Sequence, residues 1–437
     1  MPSGLNLVVI GGGSSYTPEL IAGILRYANQ IPVERLVLVD VPRGGERLKI
    51  IRQFVERMIS RQGLTIRVDT TYHREEALRG ADAVFSQIRV GGMTARARDE
   101  RIPLKYGVIG QETVGPGGFA NALRTIPVAL AIAHDIERLC PGAWLLNFTN
   151  PSGMVTEAIT RYSSVRTVGL CNVPYNIQRT IAEELRVDAE RIYLEMYGLN
   201  HLSFVRSVYL DEQDITPVIL SYLAKEGATG ANTPHMPFSG RLFEALGLIP
   251  NDYLRYYWLR REMLRRQQED LEAGQGTRAI QVMGLEADLY RRYQDPNLDA
   301  LPPELQQRGG AYYSEVAVQV MMGLMGQGVR RMVVNVPNGT AIEGLSPGAV
   351  VEVSCRIDAR GPHPVSIGPM DPLVRGLVQA VKAYEELTIE AAVHQDRGTA
   401  LKALLANPLV PGVDIAEKLL DDILTENQSE LPGGWVR

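Results

Sequence analysis

The chain has 437 residues, 45% hydrophobic and 22% charged, which provides a sizeable core and room for two domains of about 100–200 residues each. A formal net charge of −5 argues against a nucleic-acid-binding surface but permits a local basic pocket for an anionic substrate. Three scattered cysteines, Cys140, Cys171 and Cys355, make no disulfide framework, and no apolar run has the length of a signal peptide core or a membrane span, so a cytoplasmic protein is expected.

The first half alternates strand-like and helix-like segments. Leu5–Ile10 has the short apolar run of a buried parallel strand. A helix should follow, with Thr17 as N-cap, Pro18 at the first helical position and Leu20, Ile21, Ile24 and Leu25 on one face. Leu36–Val39 reads as the second strand, closed by Asp40, and Glu46–Ile59 keeps a helical period. Ala83–Ile88, Ala143–Phe148 and Val165–Leu170 repeat the strand pattern, with helices at about 120–138 and 151–162 between the later ones. This alternation predicts an α/β fold with a Rossmann-type, doubly wound parallel sheet.

Beyond about residue 195 the pattern changes. Leu202–Leu210 reads as an exposed strand and Glu226–Gly240 as a mobile loop. Helices are expected at about 252–268 and 313–326, strands at Arg331–Val336 and Val350–Arg356, and a helical stretch over Leu373–Leu405. The expected division is residues 1–195 for a dinucleotide-binding domain and 196–437 for an α+β catalytic and oligomerisation domain.

Chemistry-bearing residues concentrate at strand ends. Gly11-Gly12-Gly13-Ser14-Ser15 directly follows the first strand and precedes the first helix, where backbone N–H groups and a helix N-terminus favour a pyrophosphate. Tyr16 replaces the third glycine of the usual fingerprint. Asp40 ends the second strand, where a carboxylate holds ribose hydroxyls and selects NAD over NADP. Cys171 begins just past a strand's carboxyl end, where open α/β sheets bind ligands. An isolated cysteine there reads more readily as buried core. With His201 it could supply a thiolate and an imidazole to a divalent ion.

Other positions stay ambiguous singly. Asn147 and Asn150 could hold sugar hydroxyls or cap a turn. Gly110–Thr113 suits close approach to a ligand or a simple turn, and Tyr253, Tyr256 and Tyr257 fit core or interface. Arg89, Arg96, Arg98 and Arg101 could converge on a phosphate. His73, His134, His235, His363 and His394 read as structural.

Together these segments resemble glycoside hydrolase family 4, the NAD- and manganese-dependent glycosidases. The matching stretches are Gly11–Pro18, Ile88–Gly91 with Arg96, Ile102–Thr113, Asn147–Pro151, Cys171–Pro174, Gly198–His201, Asn251–Tyr257 and Gly276–Met283. The resemblance spans most of the chain and implies a dehydrogenase-like nucleotide domain, of the lactate and malate dehydrogenase type, joined to a catalytic domain. It makes Cys171 and His201 the Mn2+ ligands, Tyr253 the catalytic base, and Arg96, Asn150, Asn172 and Arg278 substrate-contacting positions.

Phospho-α-glucosidases of the family carry an aspartate after the metal cysteine. Asn172 stands there instead and looks like the 6-phospho-β-glucosidase branch, which leaves a side-chain acid in doubt. No flanking carboxylate pair of the ordinary glycosidase kind stands out. The implied route on a phosphorylated disaccharide or β-glucoside is oxidation at C3, deprotonation at C2 by Tyr253 with its pKa lowered by the cation, elimination, water addition and re-reduction. A 6-phospho-α-glucosidase and a net NAD-dependent dehydrogenase are the alternatives, and a homodimer or homotetramer is the expected assembly.

Overall fold

The structure is a computed structural model that describes residues 4–226, 238–308 and 312–435. The loop expected over Glu226–Gly240 falls almost wholly outside the described residues, and so does His235.

Strands buried on both faces need near-continuous apolar runs, and LNLVVI, VERLVLV, AVFS and WLLN supply them. In chain order come β1 (Leu5–Ile10), α1 (Thr17–Arg26), β2 (Val33–Val39), α2 (Gly45–Arg61), β3 (Arg67–Thr71), α3 (Arg74–Leu78) and β4 (Ala83–Ser86). Next are α4 (Gly92–Leu104), α5 (Gly115–Leu139), β5 (Trp144–Asn147), α6 (Ser152–Tyr162), β6 (Arg166–Gly169) and α7 (Val173–Leu185). Their spatial order is β3-β2-β1-β4-β5-β6, all parallel. The order reverses between β1 and β4, which opens a crevice at the strands' carboxyl ends. Helix α1 starts one residue earlier than expected for an N-cap at Thr17: Tyr16 precedes the helix and Thr17 is its first residue. Strand β3 was not foreseen, because RVDTT alternates too weakly to stand out.

The second half begins with the antiparallel pair β7 (Ile192–Leu199) and β8 (Leu202–Leu210), flanked by β9 (Gln213–Asp214) and β10 (Ile249–Pro250). Leu202, Phe204, Val205 and Val208 are all buried, so β8 is not the exposed strand anticipated. Its consecutive apolar residues are covered on both faces, since β13 and α8 pack against the same hairpin. Helices α8 (Thr216–Glu226), α9 (Gly240–Leu246), α10 (Arg255–Trp258), α11 (Arg260–Glu272), α12 (Arg278–Tyr293) and α13 (Tyr313–Leu324) follow. Then come β11 (Arg330–Pro337), β12 (Ile342–Glu343), β13 (Val350–Asp358), β14 (Gly361–Pro364) and α14 (Pro372–His394). The helical stretch over Leu373–Leu405 breaks at Gln395, which takes a left-handed φ of 54°, before a further helix, Arg397–Ala406.

Strand β11 adds antiparallel to β6, β13 to β11 and β14 to β13, making one sheet of nine strands. The sheet therefore draws strands from both sides of residue 195. This arrangement brings β13 against β7, with consequences for the site described next.

Candidate active site

The glycine turn is built by backbone geometry. Gly11 takes a φ of 87°, and a Cβ there would sit 2.8 Å from the Gln87 carbonyl oxygen, so only glycine fits. The Gly11 and Gly12 N–H groups both donate to the Val39 carbonyl, at 2.9 and 2.8 Å. Gly13 N–H donates to Asp40 Oδ2 at 2.8 Å and Val41 N–H to Asp40 Oδ1 at 2.7 Å, which fixes the carboxylate's direction. A cleft of about 900 Å³ opens at the β1/β4 switch point, with Gly11, Gly13, Ser14, Asp40 and Asn150 in its wall. That size suits a dinucleotide and a sugar together. Gly12 and Ser15 do not line it. Gly12 packs against Leu38, and the buried Ser15 hydroxyl donates to Glu286.

Helix α12 holds the turn from the other side. Tyr290 Oη donates to the Gly13 carbonyl at 2.7 Å and Tyr293 Oη to the Ser15 carbonyl at 3.0 Å. Gln87 Nε2 adds donations to Gly11 O and Thr17 Oγ1. None of these three donors was singled out in the sequence. They are ordinary residue types whose roles arise only from tertiary approach.

Tyr313, at the start of α13, links the turn to a second pocket. Its ring lies 5.8 Å from that of Tyr16 and 5.0 Å from that of Phe148. Cys171, Tyr253 and Glu112 all lie close enough to act on its phenol. The His201 imidazole stacks on Tyr253 with centroids 3.8 Å apart and planes within 8°. Cys171, His201 and Tyr253 thus meet within reach of the glycine turn, although they come from three different segments.

Hydrogen bonding determines the His201 tautomer. Its Nδ1 lies 2.9 Å from Thr113 Oγ1, whose own proton goes to Gln111 Oε1 at 2.8 Å. Thr113 Oγ1 must therefore accept from Nδ1–H, which leaves the lone pair on Nε2. Burial pushes the imidazole pKa down to about 4, with nearby Glu112 opposing, so the ring is neutral at physiological pH and suited to ligate a cation. Burial, reinforced by Glu352, drives the Cys171 thiol far above its usual value. Burial also drives the Tyr253 phenol well above 10, with Tyr256, Glu112 and Cys171 adding to the effect. Protein groups alone therefore do not give the lowered tyrosine pKa anticipated above.

Among the described residues no three His, Cys, Asp or Glu side chains gather as a complete metal cage. The donors present are one thiol and one imidazole with a free Nε2 lone pair. That set fits a divalent ion that keeps open positions for substrate oxygens and water, with the thiol proton displaced on binding.

Charged residues flank this pocket. Glu112, within the Gly110–Thr113 stretch that read as a ligand contact or a simple turn, pairs with Arg89 and, at 3.0 Å, with Arg96. Arg96 also donates from Nε to Glu100 at 2.8 Å. The other Glu100 oxygen accepts from Ala279 N–H at 2.7 Å, at the start of α12, where Arg278 is exposed. Arg98 and Arg101 turn away and pair with Glu430 and Glu426, so the four arginines do not converge on one phosphate. Asn150 lies in the cleft wall before a cis bond to Pro151. Asn172 is buried at the start of α7, its carbonyl accepting from Asn176 N–H. Asn147 is turned inward, bonded to Thr149 and Thr156.

Comparison with known proteins agrees with this geometry. The family 4 glycosyl hydrolase model matches residues 6–187, and its C-terminal domain model matches residues 196–410. The chain belongs to glycosyl hydrolase family 4. A Bacillus subtilis protein named "probable 6-phospho-beta-glucosidase" is 46% identical over 437 residues, covering 99% of this chain and 98% of the relative. A solved 6-phospho-beta glucosidase from Thermotoga maritima, with manganese, NAD+ and glucose-6-phosphate, superposes with a TM-score of 0.89 at 35% identity, covering 98% of this chain and 100% of that one. A 6-phospho-alpha-glucosidase from gut microorganisms, in complex with NAD and Mn2+, gives a TM-score of 0.88 at 28% identity over 98% and 99% of the two chains.

Proposed function

We propose that this family 4 enzyme hydrolyses 6-phospho-β-glucosides to glucose 6-phosphate and an aglycone, with NAD and Mn2+ as cofactors. One observation carries the reading: Cys171, His201 and Tyr253 gather beside the cleft that the glycine turn opens. The β preference rests on the higher identity to relatives named for β-linked substrates than to those named for α-linked ones. Asn172 in place of an acid points the same way.

When bound, the dinucleotide supplies a hydride acceptor for C3 and the cation a Lewis acid for the sugar oxygens. Gly11, Gly13, Ser14 and Asp40 would hold the dinucleotide, and Cys171 Sγ and His201 Nε2 the cation. Tyr253 takes the proton from C2 of the sugar, and its burial excludes water from that step. Arg96, fixed by Glu100 and Glu112, orients the sugar near Tyr253, and the exposed Arg278 would meet the 6-phosphate. Asn150 and Asn172 supply amides to hydroxyl groups.

Three unpaired buried cysteines fit a reducing cytoplasm. Among the described residues no helix is long and apolar enough to cross a membrane. Exposed Ile280 and Leu271 are apolar area that a homodimer or homotetramer would cover.

The test is hydrolysis of a chromogenic β-glucoside 6-phosphate and its α-anomer, with and without NAD+ and Mn2+. Turnover of the β-anomer that needs both additions and accumulates no NADH is expected. Stoichiometric NADH would make the chain a net dehydrogenase, and preference for the α-anomer would overturn the linkage.

A further inference from the structure

Glu352 lies in the middle of β13, fully buried, and nothing in the reaction proposed above uses it. A carboxylate in such a place requires donors, and four converge on its two oxygens. Asn200 Nδ2 donates to Oε1 at 2.9 Å and Asn335 Nδ2 to the same oxygen at 3.4 Å. Ser203 Oγ donates to Oε2 at 2.6 Å, and the Cys171 thiol is also hydrogen-bonded to this carboxylate.

Each branch but that of Asn335 leads to a different reacting group. The first is Cys171 itself. The second, Asn200, directly precedes His201, which sits in the tight β7–β8 turn with a left-handed φ of 62°; such a backbone persists in a non-glycine residue only when its surroundings hold it. The third runs from Ser203 Oγ, which accepts from Asn251 Nδ2 at 3.2 Å, while Asn251 Oδ1 accepts from Tyr253 N–H at 3.0 Å.

We propose that Glu352 is the positioning residue that sets the Cys171 thiol, the His201 turn and Tyr253 in one mutual arrangement. It acts through these groups rather than on substrate. Groups that orient metal ligands in this way are typically worth about 10–100-fold in metal affinity or activity. The proposal rests on the metal and base roles proposed above. A glutamine cannot replace Glu352, because its amide nitrogen would face a donor where an acceptor is required.

The experiment titrates Mn2+ into the NAD+-bound protein by calorimetry and measures kcat for the wild type and three variants. Glu352→Gln should weaken Mn2+ binding about tenfold or more, with NAD+ affinity within about twofold of wild type. Should that variant not fold, two peripheral changes separate the branches. Asn200→Ala should weaken Mn2+ binding, whereas Ser203→Ala should lower kcat with Mn2+ affinity retained. A merely structural role would lower thermal stability without producing this split. Wild-type Mn2+ affinity and kcat in Asn200→Ala and Ser203→Ala, or unchanged Mn2+ affinity in a folded Glu352→Gln, would overturn the proposal. Failure of the unmodified chain to bind Mn2+ would instead overturn the metal reading, and this proposal with it.

Discussion

The dinucleotide turn and the Cys171–His201–Tyr253 pocket adjoin one cleft but are made in opposite ways. The turn spans a few consecutive residues, and its polar groups are satisfied by backbone, by Asp40 and by the side chains of Gln87, Tyr290 and Tyr293. It is complete before any ligand arrives. The pocket gathers Cys171 from the loop after β6, His201 from the β7–β8 turn, Tyr253 from the turn before α10 and Tyr313 from α13, and burial leaves a protonated thiol, a neutral phenol and a neutral imidazole. A prebuilt cradle next to a pocket whose titratable groups rest uncharged predicts that the two halves fail independently.

Cys171→Ser should break the pocket and spare the cradle. Activity should fall by about 100-fold or more, since even groups outside a metal's ligand set are worth 10–100-fold, while NAD+ affinity measured by fluorescence titration stays near wild type. Loss of both together would mean the halves are one unit.

Asp40→Ala is the reciprocal change. Hydrogen bonds to charged groups contribute about 1.5–3 kcal/mol, or roughly tenfold or more in affinity. NAD+ binding should weaken by that much, and Mn2+ binding measured by calorimetry should not. An unaltered NAD+ affinity would remove Asp40 from the cradle.

This contrast also explains what was legible in the sequence. A glycine run after an apolar strand, followed by a helix and an acid at the end of the next strand, is a local pattern, and β1, α1 and Asp40 stand where that pattern puts them. Parallel strands β4, β5 and β6 were readable because burial on both faces writes itself as an apolar run. Cys171, His201 and Tyr253 were reached by family resemblance, because no spacing rule links residues that far apart. Glu352 escaped notice: one glutamate looks like another until a fold buries it among donors. The joining of β11 and β13 to the first sheet was equally invisible, since a strand's sequence does not name its neighbour.

A smaller effect sharpens the comparison on the cradle side, where one carboxyl is left unfavourably buried. Glu19 on α1 accepts from Ser314 through Oε1, while Oε2 has no hydrogen-bond partner. Burial raises its pKa from 4.5 to about 7 despite the opposing bonds from Ser314. The folded state therefore favours the protonated form. Its contribution is fully present below pH 4.5 and is lost as pH rises to about 7. Glu19→Gln should accordingly stabilise the fold at pH 8, by about 3 kcal/mol at most, seen as a higher melting temperature, and change it little at pH 4.5. Equal shifts at both pH values would refute the buried-acid account.

The central claim is that Tyr253 removes a proton from carbon, and turnover in D2O tests it most directly. The released glucose 6-phosphate should carry deuterium at C2 by NMR, and Tyr253→Phe should lose that exchange along with about 10²–10⁴-fold in rate. Product with only protium at C2 from an active, unmodified enzyme would contradict the account.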